Sequence, residues 1–340
     1  MVALGYLGNL LRRTSYAGFG TVVFVGMLIA NVALDPALVK PGNLASTVQA
    51  LAPLVLVAMG MTPAVLSGRG GIDLSLGPLA GFVTVLLAGY LNHGWFGTLW
   101  VIVPTALAAG FVVGVVNGWI IAGVRIQPIV ATLGTYLVLT GLGQQYVPNN
   151  GGTLPPGLNL GGSWAGIPSS AVVLVLAWLA WFGVTRLRYH RLLLAVGQDD
   201  RGAYSAGTSV ARVRIVAYGI GGVFAGLAGL VLTSLISGGD ASIGPSYTLV
   251  AIAAVALGGT SLAGGRGGMF GSVIGALDIY LIQNVLSLLN LQVFYVNLVY
   301  GLILIAVVTL NRVVTVRIGT ARRPLERSQA TTSTLASARS

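Results

Sequence analysis

Long apolar runs alternate with short polar or glycine-rich stretches along the whole chain. A run of about 17 to 25 apolar residues can cross the hydrocarbon core of a bilayer as a helix. A helix also satisfies its own backbone hydrogen bonds, which lipid cannot do. The pattern therefore predicts an all-α integral membrane protein of ten transmembrane helices, over residues 16–34, 48–66, 73–91, 99–122, 129–147, 169–184, 213–236, 247–263, 268–289 and 293–311.

Three stretches break the alternation. Residues 148–168 form an uncharged loop that is rich in Gly, Pro and Asn, and residues 185–212 form the longest polar stretch between predicted helices. From residue 319 the chain consists mainly of Arg, Ser, Thr and Ala without apolar periodicity, which is typical of disorder. The pattern predicts one transmembrane domain over 1–318 and a disordered tail over 319–340.

The positive charges fall on one side of the predicted bundle. With the N-terminus inside, all 17 arginines lie in or beside inner segments, and only Lys40 lies outside. An excess of positive charge marks the cytoplasmic side of a membrane protein. Both termini are therefore predicted to be cytoplasmic. The net charge of +11 is an orientation signal that also favours contact with anionic membrane lipid, and it does not indicate nucleic-acid binding.

Composition excludes several functions. Only 7% of the residues are charged, against about 25% in a soluble protein. The chain has no Cys, which excludes disulfides and thiolate metal sites, and its two His and single Glu leave little for metal or acid–base chemistry. The only lysine, Lys40, lies in VKPG, so the G-x-x-x-x-G-K-[ST] motif of an ATP-binding loop is absent. No metal, cofactor or enzymatic activity is expected in this chain.

A short sequence occurs twice. Residues 70–78 read GGIDLSLGP and residues 238–245 read GGDASIGP, and six of eight positions agree once Ile72 is removed. The two stretches lie five predicted helices apart, an odd number, so they face opposite sides of the membrane. This predicts an inverted-topology repeat of helices 2–5 and 7–10, as in many transporters. Asp73 or Ser75 either caps the following helix or faces a polar cavity at a broken helix, and the two interpretations are compatible.

Four blocks resemble a known family: GGIDLSLG at 70–77, NGWIIAGVRIQPIVATLGT at 117–135, AVGQDDRGAYSAGTSVARVR at 195–214 and AIAAVALGGTSLAGGRGGMFGSVIGA at 251–276. In this order they resemble the permease subunits of bacterial monosaccharide ABC importers of the ribose/xylose/arabinose type, whose wider family includes branched-chain amino-acid permeases. The resemblance implies about ten helices in the bacterial inner membrane. It also implies a second permease subunit (identical or not), a cytoplasmic ATPase that binds ATP and magnesium, and an extracytoplasmic sugar-binding protein.

The 185–212 loop resembles the family's A-x-G-x-N-x-x-A-A-x-x-x-G element, which implies a short helix parallel to the membrane that couples to the ATPase. Matching positions are taken by Asp199 (where Asn is commoner), Ala203 and Gly207, and the predicted coupling residues also include Asp200 and Arg201. An ordinary solvated basic loop is the alternative. The flanking Arg186, Arg188, Arg191, Arg212 and Arg214 are predicted to hold the ends of the element at the level of the lipid headgroups.

Polar side chains within the apolar segments are candidates for the transport pathway or its gate. They are Asp73, Ser75, Asn117, Thr132, Thr135, Asp278, Gln283 and Asn284. Buried amides need partners, which are either other helices or the hydroxyls of a passing sugar. The two threonines either bond to their own helix or line the pathway. An acid within a spanning segment, such as Asp278, indicates a functional site, with a hydrogen-bonded structural role as the alternative.

Two positions depart from the family's pattern. The family usually has an acidic pair before AIAAV, where this chain has Thr248, Leu249 and Val250, and Asp278 stands where the family is usually apolar. The hypothesis favoured overall is the translocation subunit of an ATP-driven importer for a monosaccharide or small polyol. The alternatives are a permease for a branched-chain amino acid or nucleoside, an ion-coupled secondary transporter that uses Asp73 or Asp278, and a membrane scaffold or enzyme.

Overall fold

The computed structural model describes residues 17–92, 99–146, 163–164, 167–291 and isolated residues between 295 and 309. Eleven α-helices lie within these ranges. They are α1 (Gly18–Leu34), α2 (Pro41–Leu66), α3 (Leu76–Asn92), α4 (Leu99–Ala122), α5 (Pro128–Tyr146), α6 (Ser169–Arg186), α7 (Arg188–Gln198), α8 (Asp200–Ser205), α9 (Val210–Ile236), α10 (Gly244–Leu257) and α11 (Met269–Leu288). A 3-10 turn covers Pro36–Val39, and Ser163–Trp164 (β1) pairs antiparallel with Ile167–Pro168 (β2).

Nine of the ten predicted segments contain a helix of the structure, namely α1–α6 and α9–α11. The tenth, 293–311, lies almost wholly outside the described residues, as do most of the 148–168 loop and the whole 319–340 tail. Five helices are long and apolar enough to cross a membrane: Pro41–Leu66, Trp100–Ala122, Ser169–Arg186, Val210–Ile236 and Met269–Leu288. Within the described residues the fold is helical and suited to a bilayer.

Several predicted boundaries differ from those of the structure; the second segment, for example, was expected to start at residue 48, but α2 begins at Pro41. The third segment was expected to start at Asp73, but α3 begins at Leu76, because the Asp73 carboxylate holds Ser75 in a turn. The eighth segment was expected to continue to residue 263, but α10 ends at Leu257. Residues 258–268 form turns instead, and Gly264 and Gly267 there have φ of +102° and +104°, which only glycine adopts readily.

Helix α9 is the centre of the bundle and packs against α2, α3 and α4. Its contacts are made through glycines: a side chain on Gly222 would collide with the Gly110 carbonyl of α4, and one on Gly221 would come within 2.7 Å of the Gly60 carbonyl of α2. Small residues let helix backbones approach closely, which drives association of helices in lipid.

Helices α3 and α10 pack antiparallel through their first turns. Gly77 and Gly244 hold equivalent places in the two matching sequences, and each occupies the space that a side chain on the other would need. The surrounding contacts are reciprocal. A side chain on Gly81 would lie 2.9 Å from the Ala241 carbonyl, and its equivalent Thr248 donates to the Leu74 carbonyl at 3.4 Å. Each contact between the two helices therefore has a counterpart made by the equivalent residues of the two matching sequences.

Four connecting segments form what we call the arginine-rich end of the bundle: residues 67–75, 123–127, 199–209 (which include α8) and 258–268. Hydrogen bonds at or next to three of these segments join them. Gly265 N donates to the Leu66 carbonyl at 3.1 Å, and Gln198 Nε2 donates to the Gly265 carbonyl at 3.1 Å. Side chains on Gly68 or Gly197 would collide with the neighbouring turns. The segment that carries α7 and α8 is thus fastened to the turns that follow α2 and α10.

Candidate functional site

The first Gly-Gly turn, residues 67–75, leads from α2 into α3. Gly70 has φ +65°, a left-handed conformation that glycine adopts readily. Asp73 Oδ1 accepts hydrogen bonds from Ser75 N at 2.9 Å and from Ser75 Oγ at 2.6 Å. Both side chains are fully buried. Asp73 therefore organises the turn just before α3.

The side chains of α4 and α5 close over this turn. Asn117 Nδ2 donates to Ser75 Oγ at 2.8 Å, and Thr135 Oγ1 donates to Asn117 Oδ1 at 2.5 Å. Leu74 N donates to Thr132 Oγ1 at 3.1 Å. The side chains of Asp73, Ser75, Asn117 and Thr135 form one hydrogen-bonded chain, and Thr132 bonds to the backbone of the same turn; we call these five residues the polar cluster. It unites five of the eight predicted pathway residues.

Both Asn117 and the two threonines have hydrogen-bond partners within the protein, and their role in the pathway stays a prediction. Asn117 bonds to other segments of the protein, and Thr132 and Thr135 also bond to their own helix, at the carbonyls of Pro128 (2.9 Å) and Ala131 (3.3 Å). Among the described residues, Asp73 Oδ2 has no hydrogen-bond partner. One carboxylate oxygen of the polar cluster is therefore still free to accept.

The polar cluster lies deep in the bundle. Leu76, the first residue of α3, lies beside Gly221 of α9, since a Cβ on Gly221 would be 3.8 Å from Leu76 Cδ2. Gly221 is the twelfth residue of α9, so this contact lies roughly 16 Å along that helix at 1.5 Å per residue. The first Gly-Gly turn thus re-enters the bundle. Such irregular backbone is tolerated at membrane depth only where protein buries it or a cavity adjoins it, and here the polar cluster buries it.

The second Gly-Gly turn, residues 237–243, leads from α9 into α10 and repeats the same bonds. Asp240 Oδ1 accepts from Ser242 N at 2.8 Å and from Ser242 Oγ at 2.6 Å. Asp240 N donates to Thr84 Oγ1 of α3 at 2.9 Å. Ser242 is exposed and Asp240 only half-buried. Asp240 was not among the predicted site residues, although the sequence match marks it as the partner of Asp73.

The three predicted residues of α11 have no hydrogen bond to the polar cluster. Asp278 is fully buried, and neither of its carboxylate oxygens has a partner in the described part of the chain. Asn284 Nδ2 donates to Asn31 Oδ1 of α1 at 2.9 Å, and Asn31 Nδ2 donates to the Leu281 carbonyl at 3.0 Å. Gln283 is exposed. The sequence analysis missed Asn31, although an amide in an apolar segment predicts an interhelical bond.

The predicted coupling element consists of two helices, α7 and α8. Asp199 caps α8, because its Oδ1 accepts from Arg201 N and Gly202 N, both at 3.1 Å. Gly207 has φ +81° and follows the end of α8. Ala203 packs against the core, whereas Arg201 is exposed. The expected short helix with acids at its start is present.

Asp200 links α8 to two other parts of the bundle. Its Oδ2 lies 2.5 Å from Arg69 Nε in the first Gly-Gly turn and 3.2 Å from Arg214 Nη2 in α9. Arg214 Nε also donates to the Ser67 carbonyl at 3.5 Å. Arg214 is 7% exposed, so its predicted place at the headgroups is wrong. Its side chain is drawn inward by Asp200 and Ser67.

The surroundings of Asp200 favour its charged form. Desolvation alone would raise the pKa of this carboxyl group. The hydrogen bond from Arg214 and the charges of Arg69, Arg214 and Arg201 outweigh that effect and hold the pKa below its ordinary value. Arginine stays protonated at any physiological pH. The Asp200 ion pairs are therefore intact throughout the neutral range.

Two further positions bear on the sequence analysis. Thr248, where the family usually has an acid, is buried at the contact of α3 and α10, where an uncompensated charge would be costly. No group of three or more His, Cys, Asp or Glu that could hold a metal occurs in the ranges that the structure describes. Arg69 and Arg214 were missed as partners of Asp200, since nothing in their spacing brings residues 69, 200 and 214 together.

Comparison with known proteins identifies relatives of this chain. Residues 43–308 match the family model described as branched-chain amino acid transport system / permease component. The ribose import permease protein RbsC of Bacillus subtilis (strain 168) is 36% identical over 85% of this chain and 90% of its own length. RbsC of Escherichia coli (strain K12) is 32% identical over 84% and 90%. The autoinducer 2 import system permease protein LsrC of Escherichia coli O9:H4 (strain HS) is 33% identical over 76% and 75%. No solved structure gives a significant match.

Proposed function

This chain belongs to the branched-chain amino acid transport system / permease component family, and on that premise we propose that it moves a monosaccharide or similar small polyol across the bacterial inner membrane. Members of this family are transport components and not enzymes. The observation that carries the substrate class is the similarity to two ribose import permeases over more than four-fifths of the chain. The hydroxyls and the amide of the polar cluster, together with the free Asp73 Oδ2, suit a cargo that offers hydroxyl groups.

Uptake measurements test the substrate class. Cells that lack their own ribose uptake, and that express this permease with its ATPase and binding protein, should accumulate labelled ribose. Accumulation of labelled leucine instead would favour the amino-acid alternative. Uptake abolished by a protonophore while ATP is kept constant would favour an ion-coupled transporter.

Partners follow from the family in general terms, because an ABC importer permease works with an ATPase and a substrate-binding protein. We propose that ATP and magnesium are bound by the ATPase, that no cofactor is bound by this chain, and that a second permease subunit, identical or not, completes the pathway. The domain assignment, 1–318 in the membrane and 319–340 as a cytoplasmic tail, is part of this proposal.

The proposed architecture has ten transmembrane helices with both termini cytoplasmic. The second to fifth and the seventh to tenth of the ten predicted segments form an inverted repeat. The reciprocal contacts of α3 and α10 support it, since a two-fold relation pairs each residue with the counterpart of its partner. The lengths of α3 and α10 also support it. The 14 residues of α10 span roughly 21 Å, less than the roughly 30 Å hydrocarbon core. Discontinuous helices of this kind meet at the midplane in transporters with inverted repeats.

The proposed coupling mechanism runs from α8 to the first Gly-Gly turn. Energy released in a separate ATPase can reach the pathway only through a physical contact that takes two positions. Helix α8 is exposed at the arginine-rich end, and Asp200 fastens it to Arg69 and Arg214. Arg69 stands four residues before Asp73. A shift of α8 would therefore pull on the turn that holds the polar cluster.

Two neighbouring acids provide a matched test of coupling. Asp200→Asn removes the ion pairs, whereas Asp199→Asn removes the same charge but keeps a good N-cap, since Asn caps as well as Asp. We expect Asp200→Asn to reduce sugar-stimulated ATP hydrolysis severalfold, while Asp199→Asn stays near the wild-type rate. Equal rates for both variants, at equal amounts of assembled transporter, would contradict the Asp200 link.

The role of Asp278 has its own test. If this residue lies on the pathway, Asp278→Asn should change the rate of sugar uptake while leaving assembly with the ATPase intact. Unchanged uptake would indicate that Asp278 has only a structural role.

A further inference from the structure

A cavity of about 670 Å³ opens beside α8 at the arginine-rich end. Its walls come from four separate elements: the first Gly-Gly turn, the 121–128 connection between α4 and α5, helix α8 and the start of α9. None of the five members of the polar cluster lines this cavity. The coupling mechanism uses Asp200 and its two partners but gives the rest of the cavity no role.

The charge of the cavity is unbalanced. Four arginines line it, Arg69, Arg125, Arg201 and Arg214, against the single carboxylate of Asp200, which leaves a net charge of +3. Asp200 is already shared by Arg69 and Arg214. Within the described ranges, Arg125 and Arg201 have no carboxylate within 4.0 Å. Two guanidinium groups, from two different elements of the wall, are therefore available to an anion.

A second feature of the cavity also indicates a ligand. Tyr218 of α9 lines the cavity and is fully buried. Its hydroxyl has no hydrogen-bond partner among the residues that the structure describes. Buried hydroxyls are nearly always bonded, and an exception calls for a missing partner. A ligand oxygen would supply one.

We propose that this cavity binds a phosphate ester. The planar fork of arginine matches two phosphate oxygens at once, and Arg125, Arg201 and the Tyr218 hydroxyl could each donate to a different oxygen. The bound anion would tie the 121–128 connection to α8 and so bias the position of the coupling helix. The proposal concerns a site outside the transport pathway and does not depend on the identity of the cargo.

The same chemistry could come from an anionic phospholipid or from a soluble phosphate ester. Ile126 is 39% and Tyr204 74% exposed on the walls of the cavity, and an apolar and aromatic surface beside arginines is typical of the membrane interface. Basic pockets between helices on the cytoplasmic side bind phospholipid headgroups in other proteins. Free glycerol 3-phosphate carries a similar phosphate without acyl chains, so it distinguishes the two sources.

The experiment uses the full chain, purified and delipidated together with its ATPase partner. Thermal unfolding is followed as phosphatidylglycerol, phosphatidylcholine or glycerol 3-phosphate is added. Saturable stabilisation by phosphatidylglycerol alone would support the site with a lipid as its ligand. Stabilisation by glycerol 3-phosphate as well would support it with a soluble ester. The proposal would be overturned if neither phosphatidylglycerol nor glycerol 3-phosphate gave saturable stabilisation, as expected if an acidic group of the ATPase fills the cavity. Equal stabilisation by phosphatidylcholine and phosphatidylglycerol, without any by glycerol 3-phosphate, would also overturn it.

Variants decide whether binding occurs in this cavity. Arg125→Gln should weaken binding about tenfold, the size of one charge-assisted hydrogen bond. Arg212→Gln, an exposed arginine that does not line the cavity, should leave it unchanged. Tyr218→Phe should weaken binding severalfold without lowering the stability of the ligand-free protein, because the hydroxyl that it removes has no partner to lose. Equal affinity in wild type, Arg125→Gln and Tyr218→Phe would contradict the assignment.

Discussion

The first and second Gly-Gly turns have the same local structure and different surroundings. In each, an aspartate accepts two bonds from a serine two residues later, at 2.9 and 2.6 Å in the first turn and 2.8 and 2.6 Å in the second. Asp73 and Ser75 are fully buried, whereas Asp240 is half-buried and Ser242 exposed. The short motif therefore sets the hydrogen bonds within each turn, whereas the elements packed around the turn set how exposed its side chains are.

The surroundings differ because different helices reach the two turns. Asn117 and Thr132 cover the first turn, and Arg69 within it binds α8 through Asp200. The second turn is held by a bond from Asp240 N to Thr84 Oγ1 of α3, and Ser242 beside it is exposed. On the proposed function, the first turn is the end that the ATPase moves and the second is the end that faces arriving sugar.

The contact that unites the two turns should be the most sensitive position. Gly77→Ala or Gly244→Ala would force a methyl group into the backbone of the opposite helix. Overpacking of this kind should cost about 3 kcal/mol of the free energy of unfolding. Gly89→Ala, in the same helix as Gly77 and with no described atom within 4 Å of the added methyl, should cost nothing. Thermal unfolding in detergent measures all three, and equal midpoints would contradict the close contact.

Removing the aspartate should affect the first turn more than the second. Asp73→Ala leaves the buried amide and hydroxyl of Ser75 without their acceptor, which should cost about 2 kcal/mol. Asp240→Ala should cost about 0.5 kcal/mol, because water can replace the lost acceptor at exposed Ser242. The measurement is again the unfolding midpoint. Equal losses of unfolding free energy in the two variants would mean that burial does not make the first aspartate more important for stability than the second.

The serines should show a smaller difference of the same sign. Ser75→Ala removes the acceptor of Asn117 Nδ2 and should cost about 1 kcal/mol. Ser242→Ala should stay within about 0.5 kcal/mol of wild type. In an Asn117→Ala background, the cost of Ser75→Ala should fall, since a double-mutant cycle isolates their bond. An unchanged cost would place the stabilising bond elsewhere.

Single cysteines should distinguish the two turns by their accessibility to a thiol reagent. The chain has no Cys, so each introduced thiol is the only one present. Ser242→Cys should react with an impermeant reagent added outside, and Ser75→Cys should not react from either side. Arg201→Cys should react only from the inside. Labelling of residue 201 from outside would overturn the proposed orientation.

Much of the fold could be read from the sequence, because apolar length and the helical requirement act locally. The predicted 99–122 segment has the bounds of α4, and eight other predicted segments contain helices. The sequence also predicted the short helix α8 and the equivalence of the two Gly-Gly turns. Predicted helix boundaries were wrong where a side chain or glycines redirect the backbone, at Asp73 and after Leu257.

The sequence by itself thus determined the membrane-suited helical fold, the family and all five candidate residues of the polar cluster, since each depends on residues close together in the chain or on a motif. Only the tertiary structure decided which residues meet. It joined Asp200 to Arg69 and Arg214 and Asn284 to Asn31, and it left Ser242 exposed while burying Ser75. These pairings connect residues far apart in the chain. Close packing of glycine-lined helices sets them, and no local pattern encodes that packing.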